Sequence, residues 1–159
     1  MIKIRASIAE DASAIFTLAE SESLFNQQDS VTVQELFHDY VERGDHNGYF
    51  FLSALADEAL IGFACYGPTP LTQGTFDLYW INVVESWKGK GVGRQLMTAV
   101  IEAVRKAAGR LMVLDTSGHP DYAPTRAFYV RCGFHPAATI PDFYAPGDDL
   151  VIYTLPLAD

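Results

Sequence analysis

The fold is decided by the stretch Trp80-Ile-Asn-Val-Val-Glu-Ser-Trp-Lys-Gly-Lys-Gly-Val-Gly-Arg94. It begins as an apolar strand and runs into a turn with glycines at alternate positions, Gly89, Gly91 and Gly93. A helix follows whose apolar residues recur at helical spacing on one face: Leu96, Met97, Val100, Ile101 and Val104. The stretch therefore predicts a strand, a glycine-rich turn and an amphipathic helix in succession.

The turn has the features of an anion site. Glycines at alternate positions let the backbone approach a ligand without a Cβ between them. The free N–H groups at the helix start, with the positive end of the helix dipole, favour a bound anion. Lys88, Lys90 and Arg94 flank the turn, and three cations together indicate a polyanion such as a pyrophosphate.

Other interpretations of the turn are a plain strand-to-helix connection and a nucleotide loop. The Walker A pattern Gly-x-x-x-x-Gly-Lys-Ser/Thr does not occur here. A dinucleotide fingerprint, Gly-x-Gly-x-x-Gly, starts at Gly89 and Gly91 but has Arg94 at its third position. Asp115 follows where a ribose-binding acid would lie, so a nicotinamide-dependent oxidoreductase stays an alternative. Against it, a doubly wound fold should begin with the glycine turn, which here lies past the midpoint of the chain.

Two motifs together resemble a known family. Lys88-x-x-Gly91-x-Gly93 resembles the Gln/Arg-x-x-Gly-x-Gly/Ala signature of the GCN5-related N-acetyltransferase (GNAT) superfamily. Downstream, Ala127-Phe-Tyr-Val-Arg-Cys-Gly-Phe134 resembles its Phe-Tyr-x-x-x-Gly-Phe segment. The motifs occur in the family's order, and the resemblance extends from Ile4 to Leu155. Two departures are Lys88 in place of Gln or Arg, and Tyr122 near the position where the family often has an Asn.

The resemblance implies acetyl-CoA as co-substrate and acetyl transfer to a primary amine by direct attack in a ternary complex. It implies that pantetheine pairs with the backbone of the strand before the turn, at Ile81, Asn82 and Val83. The phosphates then map to the turn itself: Lys88, Gly89, Lys90, Gly91, Val92, Gly93 and Arg94. Tyr129 maps to the family's tyrosine, which acts as the general acid at the thioester sulfur.

Hydrophobic periodicity and turn residues predict alternating short elements. Strands are expected at Ile4–Ala6, Tyr49–Ala56, Leu60–Tyr66, Phe76–Val84, Leu111–Thr116, Phe134–Ile140 and Leu150–Leu155. Helices are expected at Glu10–Ser21, around Val33–Val41, after the glycine turn to Ala108, and from Pro124 to Gly133. Loops are expected at Gly67–Gly74 and Asp142–Asp149. The elements predict an α+β chain with helices on both faces of a mixed sheet. The resemblance implies six to seven mostly antiparallel strands, splayed between the fourth and the fifth, as in the acyl-CoA N-acyltransferase fold.

Asp77 is the candidate general base. Strand alternation places Asp77 and Val83 on one face, and a carboxylate in the mostly apolar stretch Phe76–Ile81 is costly unless it is paired or functional. A solvent-edge Asp is the alternative, and many relatives deprotonate the amine through water. Tyr79 shares that face and is expected to line the acceptor site.

The acceptor amine cannot be identified from the sequence. The acidic and aromatic segment that includes Asp142 and Tyr144 could bind a cationic amine, or it could be a solvated loop. The acceptor is expected to be a small-molecule amine or a protein amine. An acyl-CoA-binding sensor without turnover is a further alternative, which the intact Tyr129 motif disfavours.

Composition favours one domain over residues 1–159, with 49% hydrophobic residues and no apolar run long enough to span a membrane. The net charge of −9 disfavours nucleic-acid binding. Histidines are scattered singly at positions 38, 46, 119 and 135, which predicts no metal site. Cys65 and Cys132 are expected to be free thiols in a reducing cytoplasm. The sequence does not determine the oligomeric state, and a homodimer is compatible with it.

Overall fold

Within residues 1–44 and 48–157, which the computed structural model describes, seven strands form one mixed sheet. The strands are β1 (Ile2–Ala6), β2 (Phe50–Ala56), β3 (Ala59–Pro68), β4 (Thr75–Val83), β5 (Leu111–Ser117), β6 (His135–Ala145) and β7 (Asp148–Pro156). The helices are α1 (Ala12–Ser21), α2 (Gln27–Arg43), α3 (Val92–Lys106) and α4 (Ala123–Arg131). Short 3₁₀ turns lie at Ala9–Asp11, Glu85–Trp87 and Pro120–Tyr122.

The strand order is β1-β2-β3-β4-β5-β7-β6, and β4 and β5 form the parallel pair. The other neighbouring strands pair antiparallel. The parallel register covers only Thr75–Asp77 against Leu111–Val113, so the two strands diverge beyond those residues. The predicted splay between the fourth and fifth strands is confirmed.

Each face of the sheet has its own apolar core. On one face α1 and α2 pack on the sheet through a cluster centred on Ile15, Phe37 and Phe63. On the other, α3 and α4 contribute Leu96 and Tyr129 to a second cluster. Burial of these side chains is the main force that holds the layers together. The predicted mixed, mostly antiparallel sheet with helices on both faces is confirmed.

Local sequence accounts for several boundaries. Asn26 begins α2, because its side chain accepts a hydrogen bond from the Asp29 N–H while Asp29 accepts one from the Asn26 N–H, each at 2.9 Å. The β2–β3 hairpin turns at Asp57 and Glu58, which have φ of 48° and 69°. Two positive φ values in a two-residue hairpin turn give the twist that matches the flanking strands.

The acidic segment Asp142–Asp149 differs from its expectation. It was predicted to be a loop, but β6 continues through Ala145 and β7 begins at Asp148. Ile140 pairs with Leu150 and Ala145 with Asp148, so four residues of β6 bulge out between these pairs opposite one residue of β7. Asp142 has a φ of 56° within it. Turn-forming residues in this segment therefore build a bulged hairpin rather than an open loop.

Candidate active site

A large cavity lies where β4 and β5 diverge. It has a volume of about 1150 Å³, which exceeds the usual size of a site for one drug-sized ligand. β4 carries a bulge here, because Cys65 pairs with Trp80 while Tyr66 pairs with Leu78, leaving Tyr79 as the extra residue. The cavity runs from the glycine turn, through the gap between the strands, to the segment between α1 and α2.

The glycine turn forms one end of the cavity. Gly89 and Gly91 have φ of 75° and 85°, and an added Cβ at either would meet no heavy atom within 4 Å. Their backbone conformation therefore requires glycine, and their exposed side faces open space. Gly91 begins α3 without a side-chain cap. The first N–H groups of this helix are left for a ligand, as the sequence predicted for an anion.

Gly93 has a different reason to be glycine. It lies inside α3, and a Cβ there would come within 3.3 Å of the Phe128 ring on α4. A contact that short would push the two helices apart. Gly93 thus sets the close packing of α3 on α4 as well as lining the cavity.

The three predicted phosphate cations have separate partners. Lys88 lies 2.9 Å from Glu85 and 3.5 Å from Glu22, the residue that follows α1. Burial lowers the pKa of Lys88, but the two carboxylates together raise it by more, so the net shift is upward. Lys90 lies over the Trp87 ring, 5.0 Å from its centroid, and is not part of the cavity wall. Arg94 lines the cavity and donates to the Arg131 carbonyl at 3.3 Å.

Tyr129 carries a hydroxyl on the wall of the gap. The residue is only 9% exposed, yet it lines the cavity and makes no side-chain hydrogen bond to another described residue. Burial raises the pKa of Tyr129 well above its ordinary value, and the neighbouring Cys132 and Asp115 raise it further. The hydroxyl therefore stays protonated near neutral pH and can donate a hydrogen bond to a ligand.

Two further buried polar side chains line the gap without a partner among the described residues. On β5, Thr116 is 7% exposed and its hydroxyl makes no side-chain hydrogen bond. On β4, Asn82 is 5% exposed and its Nδ2 is buried without a partner. Buried polar groups are normally satisfied. Their presence together supports a site made for a polar ligand, although sequence reasoning had assigned only backbone contacts to Asn82.

The carboxylate that reaches the cavity is Asp115, not Asp77. Asp77 accepts hydrogen bonds from the Thr69 hydroxyl at 2.7 Å and the Tyr79 hydroxyl at 3.4 Å. Asp115 lines the cavity, and burial raises its pKa, with a further rise from the charge of Asp77. The sequence had singled out Asp115 only as a ribose ligand in the dinucleotide alternative. Its position near the end of a strand that borders the gap is the signal that could have identified it.

The end of the cavity away from the glycine turn is acidic and aromatic. We call it the acidic compartment and define it by Asp29, Asp115, Asp121, Tyr122, Tyr144 and Asp148. The Tyr122 hydroxyl donates to the Leu24 carbonyl at 2.9 Å, which links the α1–α2 segment to the turn before α4. Burial raises the pKa of Tyr144 to about 12, helped by Asp115, Tyr122, Asp148 and Asp29.

The other predicted acceptor residues divide between two places. Tyr79 and Tyr144 line the cavity. Asp142 lies on the β6–β7 hairpin and accepts a hydrogen bond from the Gly147 N–H at 2.8 Å, so its carboxylate stabilises the hairpin rather than reaching the cavity. Glu22 and Asp29, which line the cavity, were not predicted, because nothing local in the α1–α2 segment marks it as part of a site.

No three His, Cys, Asp or Glu side chains in the described ranges are grouped to hold a metal ion, and His46 lies outside those ranges. No helix among the described residues has the length and apolar character needed to cross a membrane.

Comparison with known proteins gives a family match. The family model described as the acetyltransferase (GNAT) family matches residues 9–134. A solved structure from Desulfovibrio desulfuricans, itself assigned to the GNAT family of acetyltransferases, is 41% identical with a TM-score of 0.96, covering 99% of this chain and 100% of that one. No curated protein sequence matches the chain.

More distant structures share the fold. The ribosomal-protein-S18-alanine N-acetyltransferase of Escherichia coli is 19% identical with a TM-score of 0.80, covering 100% of this chain and 96% of that one. An assigned acetyltransferase from Salmonella typhimurium, whose structure holds acetyl-CoA as its cofactor, is 19% identical with a TM-score of 0.79. The match covers 100% of this chain and 95% of the Salmonella protein.

Proposed function

The chain belongs to the GNAT family of acetyltransferases, and from that premise we propose that it moves the acetyl group of acetyl-CoA to a primary amine. The observation that carries the proposal is the gap between β4 and β5, which opens at one end on the glycine turn and at the other on the acidic compartment. Such a passage lets two substrates meet, one from each end. The acceptor is a small-molecule amine or a protein amine.

The residues present fit acetyl-CoA as co-substrate. The positive-φ turn at Gly89 and Gly91 leaves open space where a side chain would otherwise stand, and the uncapped start of α3 faces the cavity. We assign the phosphates to the segment Lys88–Arg94, and pantetheine to the backbone edge of Ile81–Val83 that β5 does not pair. When bound, acetyl-CoA supplies the reactive thioester. The protein must hold it beside the amine and handle two protons.

We assign the two proton transfers to two groups on the wall of the gap. As the amine nitrogen bonds to the acetyl carbon, Asp115 takes the proton that the nitrogen loses. As the carbon–sulfur bond breaks, the Tyr129 hydroxyl gives its proton to the sulfur, so CoA leaves as the thiol. The amine loses one proton and the sulfur gains one, which balances the transfer. No covalent acetyl-enzyme is needed, in keeping with direct attack in a ternary complex.

Asp77 is the other candidate base. Its carboxylate accepts hydrogen bonds from the Thr69 and Tyr79 hydroxyls, and its charge raises the pKa of Asp115. We favour Asp115 because it lines the cavity, and we give Asp77 the role of raising the pKa of that base.

Replacing each carboxylate distinguishes the two candidates. We expect Asp115→Asn to lower kcat/KM by roughly tenfold to a thousandfold at neutral pH and to remove the acidic limb of the pH–rate profile, because the amide cannot accept the proton. A base works only when it is ionised, and Asp77 raises the pKa of Asp115. Asp77→Asn should therefore move that limb to lower pH without removing it. If Asp77→Asn removes the limb and Asp115→Asn keeps it, the two assignments are reversed.

Ligand-induced stabilisation tests the co-substrate. Acetyl-CoA or CoA at about a hundred times its Kd should add about 2.7 kcal/mol to the free energy of unfolding. For a chain of 159 residues this raises Tm by roughly 5–10 °C. NAD and ATP should give much smaller shifts at equal concentration in differential scanning fluorimetry. Equal stabilisation by NAD would favour the nicotinamide alternative.

A further inference from the structure

The carboxylates of the acidic compartment come from four separate elements of the chain. Asp29 lies in the first turn of α2 and Asp115 on β5, while Asp121 precedes α4 and Asp148 begins β7. Chain segments far apart in sequence therefore bring negative charge to one wall of the cavity. The Tyr122 hydroxyl lies among them, since Asp29, Asp148, Glu22 and Asp121 all act with burial to raise its pKa.

These charges lack basic partners. Among the described residues Asp29, Asp115 and Asp148 have no ion pair with a Lys or Arg. Asp121 lies 3.5 Å from His119. The basic residues that line the cavity lie toward the glycine turn, and Lys88 is already neutralised by Glu22 and Glu85. Unpaired carboxylates around a cavity create a negative potential that concentrates cations.

A second observation, at Asn82, points to a ligand in the same cavity. Asn82 is 95% buried, lines the cavity and leaves its Nδ2 without a partner among the described residues. By strand alternation it lies on the same face of β4 as Trp80, the face that α1 and α2 cover. The other amide atom, Oδ1, also makes no hydrogen bond to a described residue, and it is an acceptor for an ammonium N–H. A bound ammonium would give this buried amide a partner that the protein itself does not supply.

Aromatic side chains complete the compartment. Phe25, Trp80 and Tyr144 line the same cavity. Their faces can pack against methylene groups and attract a cation through the ring quadrupole. Negative charge with aromatic walls suits an aliphatic chain that carries an ammonium at each end.

We infer that the acceptor is an aliphatic diamine or polyamine, in which one amine is acetylated while a second, charged amine is held by the acidic compartment. The inference rests on the proposed function, since it names the class of amine that enters the same site. A neutral alkylamine lacks the second charge. An amino acid would bring a carboxylate toward four others and be repelled.

Three probes test this with one chain length. Putrescine, n-butylamine and γ-aminobutyrate share a four-carbon chain and a primary amine, and differ in a cationic, neutral or anionic far end. Acetyl-CoA is saturating, and a thiol reagent detects the CoA that is released. We expect kcat/KM to be at least tenfold higher for putrescine than for n-butylamine. Two equivalent amines account for only about twofold of that. The preference should shrink as salt is raised, and γ-aminobutyrate should be the poorest substrate.

Isosteric variants test whether the acidic compartment causes the preference for putrescine. Asp29→Asn with Asp148→Asn removes two charges and keeps a hydrogen-bond acceptor for the Asn26 N–H and the Ser117 hydroxyl. The putrescine preference should then fall toward twofold. The matched control, Asp57→Asn with Glu58→Gln, makes the same charge change on the β2–β3 turn and should keep the preference.

Several results would overturn the inference. They are equal kcat/KM for putrescine and n-butylamine, a preference for γ-aminobutyrate, or a putrescine preference that the Asp29/Asp148 double variant retains. If none of the three probes is acetylated while a peptide amine is, the diamine class is wrong and the proposed function stands. If no amine of any class releases CoA, the proposed function fails as well.

Discussion

Tyr129→Phe is expected to abolish most turnover while leaving acetyl-CoA affinity near that of the unaltered protein. The substitution removes one hydroxyl from a residue that lines the gap and keeps the ring, which packs near Phe134 and Tyr153. If the hydroxyl protonates the departing sulfur, kcat should fall by roughly tenfold to a thousandfold. Stability should change little, because the hydroxyl has no hydrogen-bond partner in the described part of the chain to lose.

Tyr153→Phe provides the matched control. Tyr153 is also buried, its ring centroid lies 6.2 Å from that of Tyr129, and it does not line the cavity. The same chemical change there should leave kcat unaltered. Single-turnover measurements with an accepted amine keep the chemical step visible. An unchanged rate in Tyr129→Phe would remove this residue from the mechanism, and an effect confined to the amine KM would make it an acceptor contact.

Gly91→Glu is expected to lower acetyl-CoA affinity on the order of a hundredfold, about 2.7 kcal/mol. Gly91 has a φ of 85° and faces open space at the mouth of the cavity. A glutamate there would fill the volume assigned to the phosphates and bring a like charge to them. Isothermal titration calorimetry with CoA measures the loss directly.

The control for backbone strain is Gly147→Glu. Gly147 has a φ of 81°, also faces open space, and lies on the β6–β7 turn, where it does not line the cavity. Both variants should lose about 1–2 kcal/mol of stability from the left-handed backbone. Only Gly91→Glu should lose CoA affinity. If a folded Gly91→Glu protein binds CoA as tightly as the unaltered one, the turn is structural and the phosphates bind elsewhere.

Local periodicity predicted the elements whose burial pattern it reflects directly. In α2, Val33 and Phe37 recur at helical spacing and both are completely buried. The β2–β3 hairpin turns at Asp57 and Glu58 as expected. These elements could be predicted from the sequence because residues close together in the chain determine them. The family resemblance supplied the divergence of β4 and β5, which no local pattern indicates.

The β6–β7 hairpin was mistaken for a loop because its residues favour turns. Pro141, Asp142 and Gly147 each interrupt a regular strand pattern. In the structure the pairing resumes after the bulge, and Asp142 accepts the Gly147 N–H that holds the hairpin closed. Tertiary pairing with β7 overrides the local preference, which a reading of β6 alone does not include.

The parts of the site that sequence reasoning missed depend on contacts between distant segments. Lys88 pairs with Glu22, and Tyr122 bonds to Leu24, across long separations in the chain. Asn82 was expected to offer only its backbone, and its unpartnered side chain emerges only once the cavity is known. Asp115 lay within a recognised strand, but its exposure to the gap follows from the divergence of β4 and β5.

The measurement that tests the central claim most directly is two-substrate initial-rate kinetics with product analysis. Acetyl-CoA and an accepted amine are varied together, with CoA release and acetylated amine quantified in the same samples. We expect one CoA for each acetylated amine and intersecting double-reciprocal lines, as direct attack in a ternary complex requires. Parallel lines with an isolable acetyl-enzyme would contradict that mechanism. Tight acetyl-CoA binding with no CoA release on any amine of a broad panel would contradict the assignment as an acetyltransferase and favour a sensor.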